Sequence, residues 1–350
     1  MALIKRNKAA KTVVGLDLDP AHLAAAEVHV NGALTVKRGA VAPLRPGVLR
    51  DGEVADGAAL SAALKELWEE SGLAKRVRLG IANQRIVVRT LDLPPLDDPK
   101  ALDAAVRQEA PDHIPMPMDE AIFDHQVLGP VDTPAGPRIR VVVVAVRREM
   151  IERYAEAVRA AGLQIEGIDL SAVALVRSLC DREADADTGV LYVNVAGLTN
   201  VAVALGEHCL FTRAAAGGLD SMVHLLADRR GLTLEHATQW LTHVGLEKPL
   251  AEVEGDPEVV AAARLVLEEG VHQLADTVRN SLNFYRMQQN AETVQRAVLT
   301  GPAVAIPGFA DQLGVSLGIP VETRVVALHG ESTAEPARLA VAAGLAVDEI

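Results

Sequence analysis

The sequence predicts an α/β protein of two lobes built to one design, with a small α+β insert in the first lobe. Three observations predict it. At 350 residues the chain exceeds the roughly 250 to 300 at which single cores stop growing. Two blocks of strands, one heading each half, repeat one order: "TVVGLDLD", "LAAAEVHV", "GALTVKRGA", and later "VLYVNVAG", "TNVAVALG", "HCLFTRAAAGG". That repetition points to internal duplication. Between the blocks, a strand, helix, strand, strand, helix pattern runs from about Arg78 to Ala161.

The elements follow in order. "DGAALSAALKELWEESGL" carries Leu60, Leu64, Leu67 and Trp68 at helical spacing and ends at Gly72. "VRLGIA" then opens a different unit. Its strand "IVVRTLDLP" leads to a helix capped by Asp98, with Pro99 in the first turn and Pro111 as the stop. The loop "PDHIPMPMDE", strand "AIFDHQVLG", turn "PVDTPAGP", strand "RIRVVVVAVRR" and helix "EMIERYAEAVRAAGL" complete the insert. The chain returns through a helix, "SAVALVRSLCDR", and an acidic turn, "EADADTG", to the second block. Helical patterns "GLDSMVHLLADRRGL", "TLEHATQWLTHVGL" and "ARLVLEEGVHQLADTVRNSLNFYRMQQ" come next. The strand "AVLTG", the loop and helix "PAVAIPGFADQLGVSLG", the strand "PVETRVV" and the helix "EPARLAVAAGLAV" close the chain.

Composition removes several functions. With 49% hydrophobic, 23% charged and 3% aromatic residues, the chain is globular, its core mostly Val, Leu, Ile and Ala. A net charge of −13 opposes phosphate backbones, so no nucleic-acid partner is expected. The basic start, Lys5, Arg6, Lys8 and Lys11, reads as a solvated terminus or a weak contact for anionic lipid. Asp17, Asp19 and Pro20 interrupt the apolar run after it, which fails as a signal peptide. Nothing approaches the ~18 consecutive apolar residues of a membrane span. Cys180 and Cys209 lack any CxxC spacing and read as reduced core thiols of a cytoplasmic protein.

Facing hairpins and a glycine-bearing strand-to-helix loop suggest a nucleotide held between the lobes, because turns and helix starts offer N–H groups to phosphates. Asp17 would then hold Mg²⁺ through water, or would simply cap its own turn. His236 and His243, seven apart, are too distant to share a metal without a third ligand. Ser171, Ser221 and Ser281 lack a nucleophile-elbow context, so no catalytic residue is assigned.

Over essentially its whole length the chain resembles the PilM family, actin-like cytoplasmic proteins of type IV pilus assembly within the FtsA, actin and Hsp70-like superfamily. The segments that carry this are "VVGLDLDPAHLAAAEV", "VRQEAPDHIPMPMDEAIFDHQVLG", "LYVNVAGLTNVAVALGEHCLFTRAAAGG", "VRNSLNFY" and "LTGPAVAIPGFADQLGVSLGIPVE". The acid-rich helix running into the isoleucine-proline loop and "DHQVLG", and the "RNSLNFY" run, are the family-specific ones.

The resemblance implies an actin-like fold of duplicated ribonuclease-H-like lobes. Residues 1–78, completed by 166–186 and 335–347, would form the first lobe and 79–165 an FtsA-like insert. Residues 187–334 would form the second lobe, with its outer subdomain near 218–294. It also implies a partner, the N-terminal cytoplasmic peptide of a PilN-like inner-membrane protein, seated between the first lobe and the insert. Ile114, Met116, Met118 and Phe123 are the candidate groove residues. Other platform components would be neighbours, and the chain would sit at the inner face of the membrane through its partner.

Carried over to this sequence, the family's nucleotide motifs are eroded. Gly15 and Asp17 remain of the first turn, but Asp19 and Pro20 replace its glycine and hydroxyl residue, and Ala24 stands where a lysine is usual. The second turn has Asn194, Val195 and Ala196, followed by Gly197, Thr199 and Asn200; Gly217 and Gly218 survive. The third has Gly301, Pro302 and Ala303, and Arg279 falls where relatives meet the adenine. Pro20 lacks an N–H, and Asn194 carries no charge for Mg²⁺. Side chains at Ala196 and Ala303 are expected to crowd the ligand. Losing two or three charge-assisted bonds costs roughly 3 to 9 kcal/mol, enough to move a micromolar site to millimolar or beyond. The expectation is therefore a scaffold with weak or absent ATP binding. The alternatives are a working ATPase using His22, Thr199 or Asn200, and an FtsA-like filament protein, against which "ARLAVAAGLAVDEI" lacks the character of a membrane helix.

Overall fold

The computed structural model describes residues 12–31, 33–96, 98–134, 136–288, 291–329 and 334–347; the basic residues Lys5 to Lys11 lie outside them. Strands β1 (Val14–Leu18), β2 (His22–Asn31) and β3 (Ala33–Pro43) form an antiparallel meander. A short hairpin, β4 (Leu49–Arg50) and β5 (Glu53–Val54), precedes helix α1 (Gly57–Ser71). Asp56 caps α1 by accepting from the Ala59 N–H, and Gly72 ends it in the left-handed region at φ 59°, where a Cβ would be strained.

Strand β6 (Arg76–Ile81) does not open the insert, as its position in the pattern predicts, but pairs parallel with β1. Burial on both faces explains it: Val77, Leu79 and Ile81 are covered, and so is Arg78, whose guanidinium donates to the Leu345 carbonyl at 3.0 Å. The separate sheet of the insert is smaller than 79–165. It has the order β7 (Val87–Leu93), β9 (Gly136–Arg147), β8 (Ala121–Thr133), with helix α2 (Pro99–His113) on one face. Helix α2 continues through Pro111, which sits in the last turn where only one helical bond is lost, and it ends at Ile114. Strand β8 runs beyond the expected turn because a bulge between Val127 and Gly129 absorbs one residue. The alternation of "VVVVAV" splits β9 between two cores: Val141, Val143 and Ala145 meet α2, while Val142, Val144 and Val146 join the first lobe. Helix α3 (Arg148–Ala160), expected in the insert, packs through Ile151, Tyr154 and Val158 into that first-lobe core.

Strand β10 (Gln164–Leu170) and helix α4 (Ser171–Leu179) return to the first lobe. The second lobe follows: β11 (Gly189–Val195), β12 (Leu198–Leu205), β13 (His208–Ala216), α5 (Leu219–Arg230), α6 (Leu234–Val244) and α7 (Pro257–Arg286). Helix α7 starts earlier than its apolar pattern predicts, because Asp256 caps it and Pro257 fits its first turn. Then come β14 (Val294–Thr300), α8 (Phe309–Leu317), β15 (Val321–Thr323), β16 (Ala327–Leu328) and α9 (Ala340–Ala346). The second sheet has the order β13-β12-β11-β14-β15, which repeats β3-β2-β1-β6-β10 of the first; β16 adds to the β3 edge. The duplication read from the hairpin blocks is thus a full topological repeat.

Helices α4 and α9 lie between the sheets. Ala172, Ala174 and Leu175 of α4 and Ala340 to Leu345 of α9 are buried with Ala24 and Ala26 of β2 and Tyr192 and Ala202 of the second sheet. Small residues let these backbones meet. A Cβ on Gly15 would lie 1.8 Å from the Ala342 carbonyl oxygen, and one on Gly344 would lie 1.8 Å from that of Ala174. The closing helix is therefore internal packing, and among the described residues no helix is long and apolar enough to cross a membrane. The acidic turn after α4 is exposed except for one side chain, which points inward. Asp185 is 0% exposed and is gripped by Arg324, Arg296 and the Tyr192 hydroxyl.

Candidate functional site

The two hairpin turns meet across the junction of the lobes. The first, between β1 and β2, is closed by Asp19 N–H to the His22 carbonyl at 3.0 Å and His22 N–H to the Asp19 carbonyl at 3.2 Å. Pro20 presets the turn, and the Ala21 N–H folds back on the Asp19 Oδ1 at 2.9 Å, an Asx-turn contact that aims the carboxylate outward. It reaches the other lobe. Asp19 Oδ1 accepts the Gly197 N–H at 2.9 Å and Oδ2 the Leu198 N–H at 3.1 Å. His22 Nδ1 stands 3.4 Å from Oδ1. Burial alone would raise the Asp19 carboxyl, but His22 and the N–H groups of Ala21 and Leu198 hold it below the usual carboxylate range.

Asp17, one residue pair earlier on β1, is enclosed differently. Its Oδ1 lies 3.6 Å from where a Cβ on Gly80 would stand and 3.4 Å from the Ser171 hydroxyl that donates to it. Burial first, and the neighbouring Asp19 charge second, push it up to about 7. Among the described residues no group of three His, Cys, Asp or Glu side chains is placed to hold a metal ion. His243 instead meets the Glu254 carbonyl, at 2.8 Å.

Several of the remaining candidate nucleotide residues pack against one another or against neighbouring backbone. Asn194 is buried, and its Oδ1 would be 2.4 Å from a Cβ on Gly301, which sits at φ 87° before a 3-10 turn, Pro302–Ala305. The Thr199 hydroxyl donates to the Gly217 carbonyl at 2.8 Å, and Gly217 takes φ 82°. A Cβ on Gly218 would fall 2.2 Å from the Ala196 carbonyl oxygen, which the α5 start approaches through the Asp220 N–H at 3.5 Å. Ala303 faces the second-lobe core at 0% exposure, so the expected crowding of a ligand by its side chain does not arise. Arg279 is exposed on α7 and pairs with Asp276.

A cavity of about 510 Å³ opens beside the two turns, lined by Pro20, Ala21, His22, Ala196, Gly197 and Pro302 among others. Leu44, Leu219, Val223 and Leu234 make much of its wall apolar; Asp220 and Glu235 set two acids against one arginine, Arg338. Of the ten candidate nucleotide residues only Gly197 lines it; Thr199, Gly217 and Gly218 line a smaller cavity of about 170 Å³ toward α7. The phosphate-type donors of the second turn, the Gly197 and Leu198 N–H groups, are satisfied by Asp19. As it stands, the second turn holds both of these N–H groups on Asp19 and presents neither to a phosphate.

The candidate partner residues gather on the insert. Ile114 is 4% exposed inside the α2 core, Met116 and Met118 pack half-buried against that core, and Phe123 lies under Arg107, 4.8 Å from its ring centre. A second, polar cavity of about 510 Å³ sits at the foot of the insert, formed by Arg50, Asp51, Glu53, Gln84, Arg85 and Arg153. Asn83 pins this foot: its amide donates to the Asp51 carbonyl at 2.7 Å, and its oxygen accepts the Arg85 N–H at 2.6 Å. Sequence reasoning missed it, although Asp51-Gly52 is a hairpin signal and both take positive φ, 51° and 74°.

Two lobes of one strand order, joined through facing hairpin turns, define an actin-like protein. MreB5 of Spiroplasma citri bound to ADP shares the fold at 11% identity and TM-score 0.53, over 96% of this chain and 95% of that one. The ethanolamine utilization protein EutJ from Carboxydothermus hydrogenoformans does so at 16% identity and TM-score 0.54, over 97% and 91%. The family described as type IV pilus assembly protein PilM matches residues 15–347, and the chain belongs to it. A solved PilM-PilN type IV pilus biogenesis complex is similar at 26% identity and TM-score 0.76, over 97% of this chain and 98% of that chain.

Proposed function

We propose that this chain is a scaffold of a type IV pilus or related secretion platform that holds the N-terminal peptide of a PilN-like inner-membrane protein and binds ATP weakly or not at all. It works on the cytoplasmic side, at the inner face of the cell membrane. Membership of the PilM family and the likeness to a PilM-PilN complex support the partner. One observation carries the nucleotide half of the reading: the Asp19 carboxylate engages the Gly197 and Leu198 N–H groups that a phosphate would need. An incoming phosphate must break those bonds and then face two buried carboxyls, Asp17 and Asp19. The partner peptide is expected along the seam of the insert and the first lobe as an extended segment; Ile114, Met116, Met118 and Phe123 pack with α2 on the other face of the insert sheet.

Two measurements test it. Thermal melts with Mg-ATP should show no shift at ~100 µM, because a native-state ligand raises stability by RT ln(1 + [L]/Kd). A clear upward shift refutes the weak-cleft reading. Titration of the N-terminal peptide of the membrane protein encoded beside this chain should show binding without nucleotide; none, with or without ATP, defeats the scaffold reading. The relative solved with ADP keeps a working ATPase as the competing reading, which steady hydrolysis lost on Asp17→Ala would favour.

A further inference from the structure

Three N–H groups from two lobes converge on one side chain. Ala21 belongs to the first hairpin turn, Gly197 and Leu198 to the second, and all three donate to the Asp19 carboxylate at 2.9, 2.9 and 3.1 Å. Backbone N–H groups that converge in a turn make an anion site. Here the anion is supplied by the chain. Everything around it is shaped for that occupant: a Cβ on Gly197 would stand 2.3 Å from Asp19 Oδ1, so only glycine leaves the carboxylate its place. Asp19 is 5% exposed, so its bonds to Gly197 and Leu198 are shielded from water.

We infer that Asp19 is a tethered anion that holds the two hairpin turns together in the position a ligand phosphate would take, so that closure of the lobes is built into the chain. This rests on the weak-cleft reading and deepens it. A tethered carboxylate acts at an effective concentration a free ligand rarely matches, so lobe closure stays on without nucleotide. Its removal should uncover a site for an oxyanion, and inorganic pyrophosphate is the probe used.

The test places spin labels at two exposed positions, Lys65→Cys in the first lobe and Asp228→Cys in the second, with Cys180 and Cys209 replaced by alanine. The parent should give one narrow distance distribution, unchanged by pyrophosphate. Asp19→Gly should broaden it, and pyrophosphate should narrow it again and raise the melting temperature by about 2 °C or more. A parent-like narrow distribution in Asp19→Gly, with no response to pyrophosphate, overturns the inference while leaving the weak-cleft reading intact. A parent that itself responds to ~100 µM ATP overturns that reading instead. Should Asp19→Gly not fold, Asp19→Asn keeps the shape but turns an amide against one N–H donor. Its distribution must also broaden, and a parent-like one counts against the tether.

Discussion

Replacing Asp185 by asparagine tests whether a buried charge cluster holds the link between the lobes. Asp185 is 0% exposed between α4 and β11, yet it is negative among many donors. Its Oδ2 accepts the Tyr192 hydroxyl at 2.8 Å, Arg324 at 2.7 Å and the Asp181 N–H at 2.8 Å; Arg296 takes Oδ1. The two arginines also share Glu322, at 2.9 and 2.6 Å, and Arg324 reaches the Leu179 carbonyl at the end of α4. Asparagine keeps the shape, removes the charge and points an amide at one of these donors. Breaking a buried pair from one side costs ~3 to 5 kcal/mol, and the low end applies because both arginines keep some exposure and retain Glu322. The melting temperature should fall by about 4 °C. Burial would raise the Asp185 carboxyl, but Arg324, the Asp181 N–H and Tyr192 hold it below the usual range. Its stabilisation is therefore present above the unfolded value of ~4 and is lost as pH falls through the folded value. Urea titrations at pH 7 should separate the variant from its parent by about 3 kcal/mol, and the gap should shrink below pH ~4. Equal midpoints at pH 7, or a gap that grows on acidification, would refute the reasoning.

Asp17 gives the opposite sign. Its carboxyl is raised from 3.8 to about 7, so the unfolded chain ionises first and the native state loses stability as pH climbs between those values. Asp17→Asn should match its parent near pH 4 and exceed it at pH 8 by as much as about 4 kcal/mol, a crossover that melts across a pH series would expose. A difference independent of pH would contradict the burial of that charge. Gly15→Ala should lower stability by about 3 kcal/mol or more, because its Cβ meets the Ala342 carbonyl at 1.8 Å; a nearly neutral result by urea titration would return Gly15 to the phosphate turn.

Local chemistry made much of this protein legible before any coordinates. The Gly72 end of α1, the Asp98-Pro99 start of α2 and the two strand blocks all depend on neighbours within a few residues, and each stands where the pattern predicts. The eroded turns were legible too, as residue types. Their meaning was not. Asp19 reads along the chain as a carboxylate placed against a ligand, yet its partners are 178 and 179 residues away, and only folding brings them within 3.1 Å. Gly15 reads as part of a phosphate turn, but the atom that requires it to be glycine belongs to α9. Strand β6 and helix α3 look like parts of the insert because sequence adjacency cannot show which sheet or core will bury them. Asp185 looks like a turn acid until Arg296 of β14 and Arg324, just after β15, arrive from more than a hundred residues on. Periodicity and capping act over a few residues, so one strand of sequence carries them. Which charge meets which donor across a lobe junction depends on long-range packing, and that exists only in the folded chain.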